Sequence, residues 1–175
     1  MKRKAEVSTF SFLDETIQRL NKPGLLLVSG NMKQANVMTI GWGLLGILWG
    51  KPFFIVAVRP SRYTHKFIEE NGDFTVNVPR RDMEETVTYC GTVSGRNHNK
   101  IEERGLTLLP SKKVNSPIIE ECIINYECKV AYKIRVNKEE LSPSILSLCY
   151  PYGDYHTLYF GEILVVHADE NLDSN

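Results

Sequence analysis

Lys51-Pro-Phe-Phe-Ile-Val-Ala-Val-Arg-Pro-Ser-Arg-Tyr-Thr-His-Lys66 is the stretch that decides the architecture. Phe53 to Val58 is aromatic and β-branched on both faces, as a central strand would be. It passes without a linker into a helix expected over Ser61–Asn71, which starts after Pro60 and stops at Gly72, a C′ glycine. Phe67 and Ile68 are its inward residues. The junction places Arg59, Ser61, Arg62 and Thr64 around a helix N-terminus, where free backbone N–H groups carry partial positive charge. Two guanidiniums and two hydroxyls there make a cradle for a phosphate monoester, which arginine can engage bidentately. The competing reading is a plain capped helix with solvated arginines. Helix starts normally favour acids in the first turn, and this one has bases.

Outward from this stretch the chain is strand-rich. Leu25–Ser29, Asn36–Ile40, Phe74–Val78, Cys122–Val136, Ser144–Tyr150 and Leu158–His167 all read as strands. Two further helical segments are expected: Asp82–Cys90, opening with Asp-x-x-Glu and ending at Gly91, and Asn99–Arg104, ending at Gly105. About seven or more strands with two or three helices between them predict a mainly β fold, a closed or nearly closed antiparallel barrel. A doubly wound sheet would alternate strands and helices throughout.

The 175 residues suit a single domain spanning 1–175. A chain of that length buries roughly 70% of its unfolded surface and needs no disulfide or metal to hold together. With 42% hydrophobic and 24% charged residues, disorder of the whole chain is excluded. Twenty-one basic residues balance twenty-one acidic ones, so nucleic-acid binding by phosphate neutralisation falls to the bottom of the list. Val37–Gly50, the apolar-rich part of the longest uncharged stretch, is interrupted by four glycines and is too short for the ~18–20 residues a bilayer demands. Glu6, Asp14 and Glu15 follow the basic Met-Lys-Arg-Lys start where a signal peptide would need an apolar core. A cytoplasmic protein with no membrane partner is expected. Cys90, Cys122, Cys128 and Cys149 match neither a redox pair nor a zinc ribbon and read as small buried hydrophobes.

His65, His98, His156 and His167 are scattered without ligand spacing, so no metal site is expected. No nucleophile elbow, P-loop or Gly-x-Gly-x-x-Gly occurs. Two other stretches could carry chemistry. Asn36-Val-Met-Thr-Ile-Gly-Trp-Gly43 mixes strand formers with two glycines, so a flat ligand could approach its backbone, with Trp42 either core or stacking platform. Cys90-Gly-Thr-Val-Ser-Gly-Arg-Asn-His-Asn-Lys100 is a glycine-broken loop with hydroxyls and three possible cations. His98 and His156 lie in loops, either as proton donors or simply solvated. Arg80-Arg81 and Lys112-Lys113 read as solvated turns.

In order along the chain, Asn36–Trp42, Lys51–Thr64, Phe74–Pro79, Cys90–Gly95 with Lys100, Tyr126–Lys129 and His156–Glu162 resemble the flavin reductase-like family. These are the FMN-binding split-barrel proteins that include flavoredoxins, and the similarity covers residues 20–168. The resemblance implies a homodimer of antiparallel, Greek-key-type split barrels, each binding one FMN near the subunit interface. It places Asn36, Met38 and Thr39 nearest the isoalloxazine, with Trp42 in the same segment. It assigns Arg59, Ser61, Arg62, Tyr63 and Thr64 to the phosphate, with Ser94, Gly95 and Lys100 closing the site. Family members often carry Gly-Asp-His near the last strand. Gly153-Asp154-Tyr155-His156 departs from this pattern by one residue, and hydride arrival at the flavin needs no acid–base side chain, so no catalytic residue is assigned and His156 stands only as the position nearest that motif. The implied activity moves electrons from NAD(P)H through bound FMN to an acceptor. The alternatives are a flavoredoxin-type carrier fed by a redox protein, or a flavin-binding module without turnover. The apolar Leu44–Trp49 stretch is expected either in the dimer interface or inside the barrel.

Overall fold

A computed structural model of the chain describes residues 4–172. Along them run β1 (Lys4–Val7), α1 (Leu13–Asn21), β2 (Leu25–Gly30), β3 (Ala35–Ile40), β4 (Gly43–Leu48), β5 (Lys51–Val58), α2 (Tyr63–Asn71) and β6 (Asp73–Val78). A single 3-10 turn then leads into α3 (Glu84–Thr92), followed by α4 (Lys100–Glu103), β7 (Leu108–Leu109), β8 (Ile118–Ile119), β9 (Ile124–Arg135), α5 (Pro143–Cys149) and β10 (Thr157–Asp169). The main sheet is antiparallel throughout, in the order β3-β2-β6-β9-β10-β5-β4, with β1 added on β10. β7 and β8 pair separately.

Two long strands organise this sheet. β10 pairs with β5 through its first half, residues 157–162, and with β1 through its last, residues 166–169. Its partner β9 gives residues 124–129 to β6. Register shifts after Phe160 and Ile163 bend β10, as bulges do where a sheet must curl. β3 and β4 stand at opposite ends of the pairing order yet are joined only by Gly41 and Trp42. The sheet therefore wraps until its edges are neighbours, a barrel left open between β3 and β4.

β5 has the two apolar faces expected of it. Phe54, Val56 and Val58 are fully buried in the barrel beside Leu25, Leu27, Phe74 and Tyr126. A second cluster, with Leu26, Val28, Val37, Val87 and Cys90, packs α3 against the outer side of β2 and β3. α2 begins at Tyr63 rather than Ser61. α3 runs on through Gly91 because a Cβ there would stand only 3.2 Å from the Thr39 Cβ, so the glycine lets helix and strand approach. Among the described residues five α-helices are present instead of two or three. α1 is hard to read from sequence because its three apolar residues, Leu13, Ile17 and Leu20, are set among polar and charged ones, and Thr16 and Arg19 are buried beside Leu20. The strand expected over Ser144–Tyr150 is instead the helix α5. Ser142 caps it, accepting from the Ile145 N–H at 3.4 Å, and Pro143 occupies its first turn. β1 and β4 complete the sheet where no strand was expected.

Gly161 lies where β9 and β10 shift register, and a Cβ there would fall 2.4 Å from Phe74 Cζ and 2.8 Å from Cys128 Cβ. Gly161→Ala should therefore destabilise by about 1–3 kcal/mol, the usual range for overpacking. That corresponds to a fall in Tm of roughly 3–10 °C. Gly46→Ala, with nothing within 4 Å of the new methyl, should leave Tm almost unchanged in the same thermal melt.

Candidate functional site

β5 delivers the chain directly to the N-terminus of α2. Arg62 is the N-cap residue, in extended backbone, and neither its own side chain nor an acid in the first turn satisfies the helix start. Such a terminus offers its N–H groups to an external anion. Facing it is the C-terminus of α3, whose carbonyls would repel that anion. Two cations cover them: Arg62 Nη1 donates to Gly91 O at 3.0 Å and Lys100 Nζ to Cys90 O at 3.0 Å. Between these elements lies a cavity of about 130 Å³, lined by Asn36 and Met38 of β3, residues 61–64, residues 92–95 and Lys100.

β3 is fixed against this cavity. Asn36 Nδ2 donates to Thr64 Oγ1 at 2.6 Å, both side chains being buried. Gly95 closes the opposite wall: a Cβ there would sit 1.9 Å from Asn36 Oδ1 and 3.1 Å from Tyr63 Cδ1. Arg96, which the sequence reading left out of the site, straps the loop down by donating to Ser61 O at 2.8 Å and lying over the Tyr63 ring at 5.3 Å. Lys100 is 4% exposed. Burial, with Arg62 adding to it, lowers its ammonium to about 8, so the lysine is still charged at neutral pH and its desolvated charge would be stabilised by an incoming anion.

Asn36, Met38, Ser61, Arg62, Tyr63, Thr64, Ser94, Gly95 and Lys100 are thus brought together. Thr39, Trp42, Arg59 and His156 are not in this cavity. Thr39 donates to Val87 O at 2.5 Å and ties β3 to α3. Trp42 lies against His156, ring centres 4.9 Å apart. His156 Nδ1 meets the Tyr150 hydroxyl at 2.8 Å, and burial, followed by the Arg59 charge, lowers the imidazole to about 4. It is neutral at pH 7 and carries no extra proton to donate there. Arg59 reaches three carbonyls of the 149–154 loop instead of the cavity. That loop, with Tyr150 and Asp154, is what the sequence reading missed. Its only trace was the displaced Gly-Asp of residues 153–154. A larger cavity of about 750 Å³, lined by α1 with Arg80 and Arg81, contains none of the expected site residues. Among the described residues, no three His, Cys, Asp or Glu side chains are placed to hold a metal.

The site is a small cavity at one helix start of a wrapped antiparallel sheet, beside a glycine-flanked strand, with two cations and no carboxylate in its lining. The chain belongs to the flavin reductase-like family: it matches the flavin reductase like domain over residues 17–175. An uncharacterized protein of Archaeoglobus fulgidus is 40% identical over 145 residues, covering 82% of this chain and 71% of that one. Among solved structures, the flavoredoxin of Desulfovibrio vulgaris (Miyazaki F) superposes with a TM-score of 0.67 at 26% identity, covering 85% of this chain and 70% of that one. The flavoredoxin of Methanosarcina acetivorans gives 0.66 at 29% identity, with 85% and 69% covered. The split-barrel fold is shared.

A bound phosphate should raise the Lys100 ammonium above its value of about 8 in the free protein. Below that pH the lysine is already charged and its contribution is complete; above it, binding must take up a proton. FMN affinity should therefore be flat from about pH 7 to 8 and weaken as pH rises further. Lys100→Met should lose affinity about tenfold at pH 7 and abolish the alkaline decline. A titration of flavin fluorescence against pH reads both.

Proposed function

We propose that this chain binds FMN as its redox cofactor and passes electrons through it from NAD(P)H to an acceptor. The observation that carries this reading is the 130 Å³ cavity at the α2 N-terminus, with Arg62 and buried Lys100 on its walls. The donor set fits a phosphate monoester: backbone N–H groups, hydroxyls and two cations, with no carboxylate lining the cavity. Asn36 and Met38 connect the cavity to β3, along which the flavin ring would extend toward Trp42. FMN supplies the hydride and single-electron chemistry at its ring when bound. The protein's residues then hold the phosphate, orient the ring along β3 and keep water from it. Neutral His156 offers a hydrogen-bonding imidazole beside Trp42, a role that needs no proton transfer.

A flavoredoxin-type carrier, fed by a redox protein, is the second reading, supported by the likeness to two flavoredoxins. Steady-state oxidation of NADH and NADPH with added FMN separates the two: rapid turnover supports the reductase, and negligible turnover supports the carrier.

A homodimer is part of the same reading. On the outer face of the sheet, Leu44, Ile55, Phe160 and Tyr132 stand in register across β4, β5, β10 and β9. Leu44 and Trp49 are 67% and 63% exposed, Trp49 lying against Tyr132 and Phe160, and an apolar row of this kind fits a self-complementary interface. The Leu44–Trp49 stretch supplies the exposed edge of this face. No helix among the described residues is long and apolar enough to cross a membrane, and all four cysteines are free. Free cysteines fit the reducing, cytoplasmic setting proposed here.

Riboflavin, which lacks the phosphate, should bind at least about tenfold more weakly than FMN, a gap of about 1.4 kcal/mol. Arg62→Ala should weaken FMN by about tenfold to a hundredfold, since a charge-assisted bond is worth roughly 1.5–3 kcal/mol. Lysine at 62 should restore only part of the loss. Arg81→Ala should change neither ligand. Equal binding of FMN and riboflavin in a fluorescence-quenching titration would overturn the phosphate assignment. Light scattering should return about 40 kDa, twice the chain mass of 20.0 kDa; a monomer would remove the dimer from the account.

A further inference from the structure

Arg59 and Ser61 adjoin the cradle in sequence, yet both are engaged by the loop between α5 and β10. Arg59 Nη2 donates to Cys149 O at 2.9 Å, and Nη1 donates to Asp154 O at 3.0 Å and Gly153 O at 3.3 Å. Its guanidinium also lies 5.1 Å from the centre of the Tyr150 ring. Ser61 Oγ donates to Asp154 Oδ2 at 2.5 Å, and the Ser61 N–H reaches Oδ1 at 3.4 Å. Asp154 has φ 54°, a left-handed backbone that L residues adopt uncommonly, so these bonds hold a conformation the loop would seldom choose alone.

What the loop delivers lies at the other end of the site. Tyr150 and His156 flank residues 151–155, bonded to each other at 2.8 Å. Both rings contact Trp42, His156 at 4.9 Å and Tyr150 edge-on at 6.4 Å. Trp42 follows β3, the strand read above as the bed of the flavin ring. An unbroken series of contacts thus joins the α2 N-terminus to the aromatic group beside that bed. The Ser61 hydroxyl has one proton to donate, so while it bonds the Asp154 carboxylate it cannot also donate to a phosphate.

We propose that Arg59, Ser61 and Asp154 form a positioning latch that holds the 149–156 loop, and through it Tyr150 and His156, against Trp42 beside the flavin ring. They do not grip the phosphate. The inference rests on the FMN reading, and its test separates the two.

The decisive variant is Asp154→Ala, read by NMR titration of the His156 imidazole in flavin-free protein. Asp154 raises that imidazole by direct attraction, while Arg59 and Arg62 lower it. Losing the carboxylate charge alone would therefore push the His156 midpoint down. Losing the latch frees the loop and lets water reach the ring, which pushes the midpoint up toward the ordinary histidine value. A rise of one pH unit or more is expected, with Asp154→Asn keeping much of the wild-type value. A fall, or no change, overturns the latch. The second measurement is the ratio of FMN to riboflavin affinity. Arg59→Ala and Asp154→Ala should each change it less than twofold, and a tenfold collapse in either would return these residues to the phosphate. Should Arg59→Ala fail to fold, Asp154→Ala, at a loop position outside the cavity lining, carries this measurement by itself. A protein that binds neither flavin would end the FMN reading, while the imidazole titration would still decide the latch.

Discussion

One buried hydrogen bond, 2.6 Å from Asn36 Nδ2 to Thr64 Oγ1, sets the geometry on which the site depends. It joins the strand β3 to the first turn of α2, elements 28 residues apart in the chain. Neither group has water to fall back on, so losing the bond would leave a buried polar group unsatisfied at a cost of about 1–3 kcal/mol. Every other wall of the cradle is referenced to this pair. Gly95 touches the Asn36 amide and the Tyr63 ring, and Lys100 closes the cavity from α4. The two ends of the proposed site, for the phosphate and for the flavin ring, are therefore held in one frame by β3.

Electrostatics explains why this frame asks for an anion. Two helix ends of opposite polarity face one cavity, the bare N-terminus of α2 and the C-terminus of α3. Arg62 and Lys100 cover the carbonyls of the second, so the cavity lining presents two cations and no carboxylate. Lys100 is held at a cost, its ammonium depressed by burial. The arrangement stores a preference for a negative ligand, because binding relieves what folding imposed.

Much of this was legible in local sequence. The run from Phe53 to Thr64 encodes a two-faced strand and a helix start through immediate neighbours, and Asn36–Gly43 shows its glycine-flanked strand in the same way. Other features depend on residues far apart. Arg59 reads as a phosphate ligand from its own surroundings, but its guanidinium is claimed by carbonyls some 90 residues later. Lys100 reads as one of three loop cations, and nothing in its neighbours reveals that it is buried. The strand expected at residues 144–150 failed for a local reason: Ser142-Pro143 is a helix-start pair that outweighs the apolar run after it. β4 was masked by its glycines and becomes a strand only because β5 is there to pair with it.

The central claim is that the cavity between α2 and Lys100 holds the phosphate of FMN as a dianion. Phosphorus NMR of the bound flavin tests it most directly. A free phosphomonoester takes up its second proton near pH 6, whereas one seated among Arg62, Lys100 and the α2 N–H groups is favoured in its fully ionised form. The account predicts a bound resonance that stays at the dianion position from pH 8 down to about pH 5. A bound resonance that titrates near pH 6, as in free FMN, would contradict it.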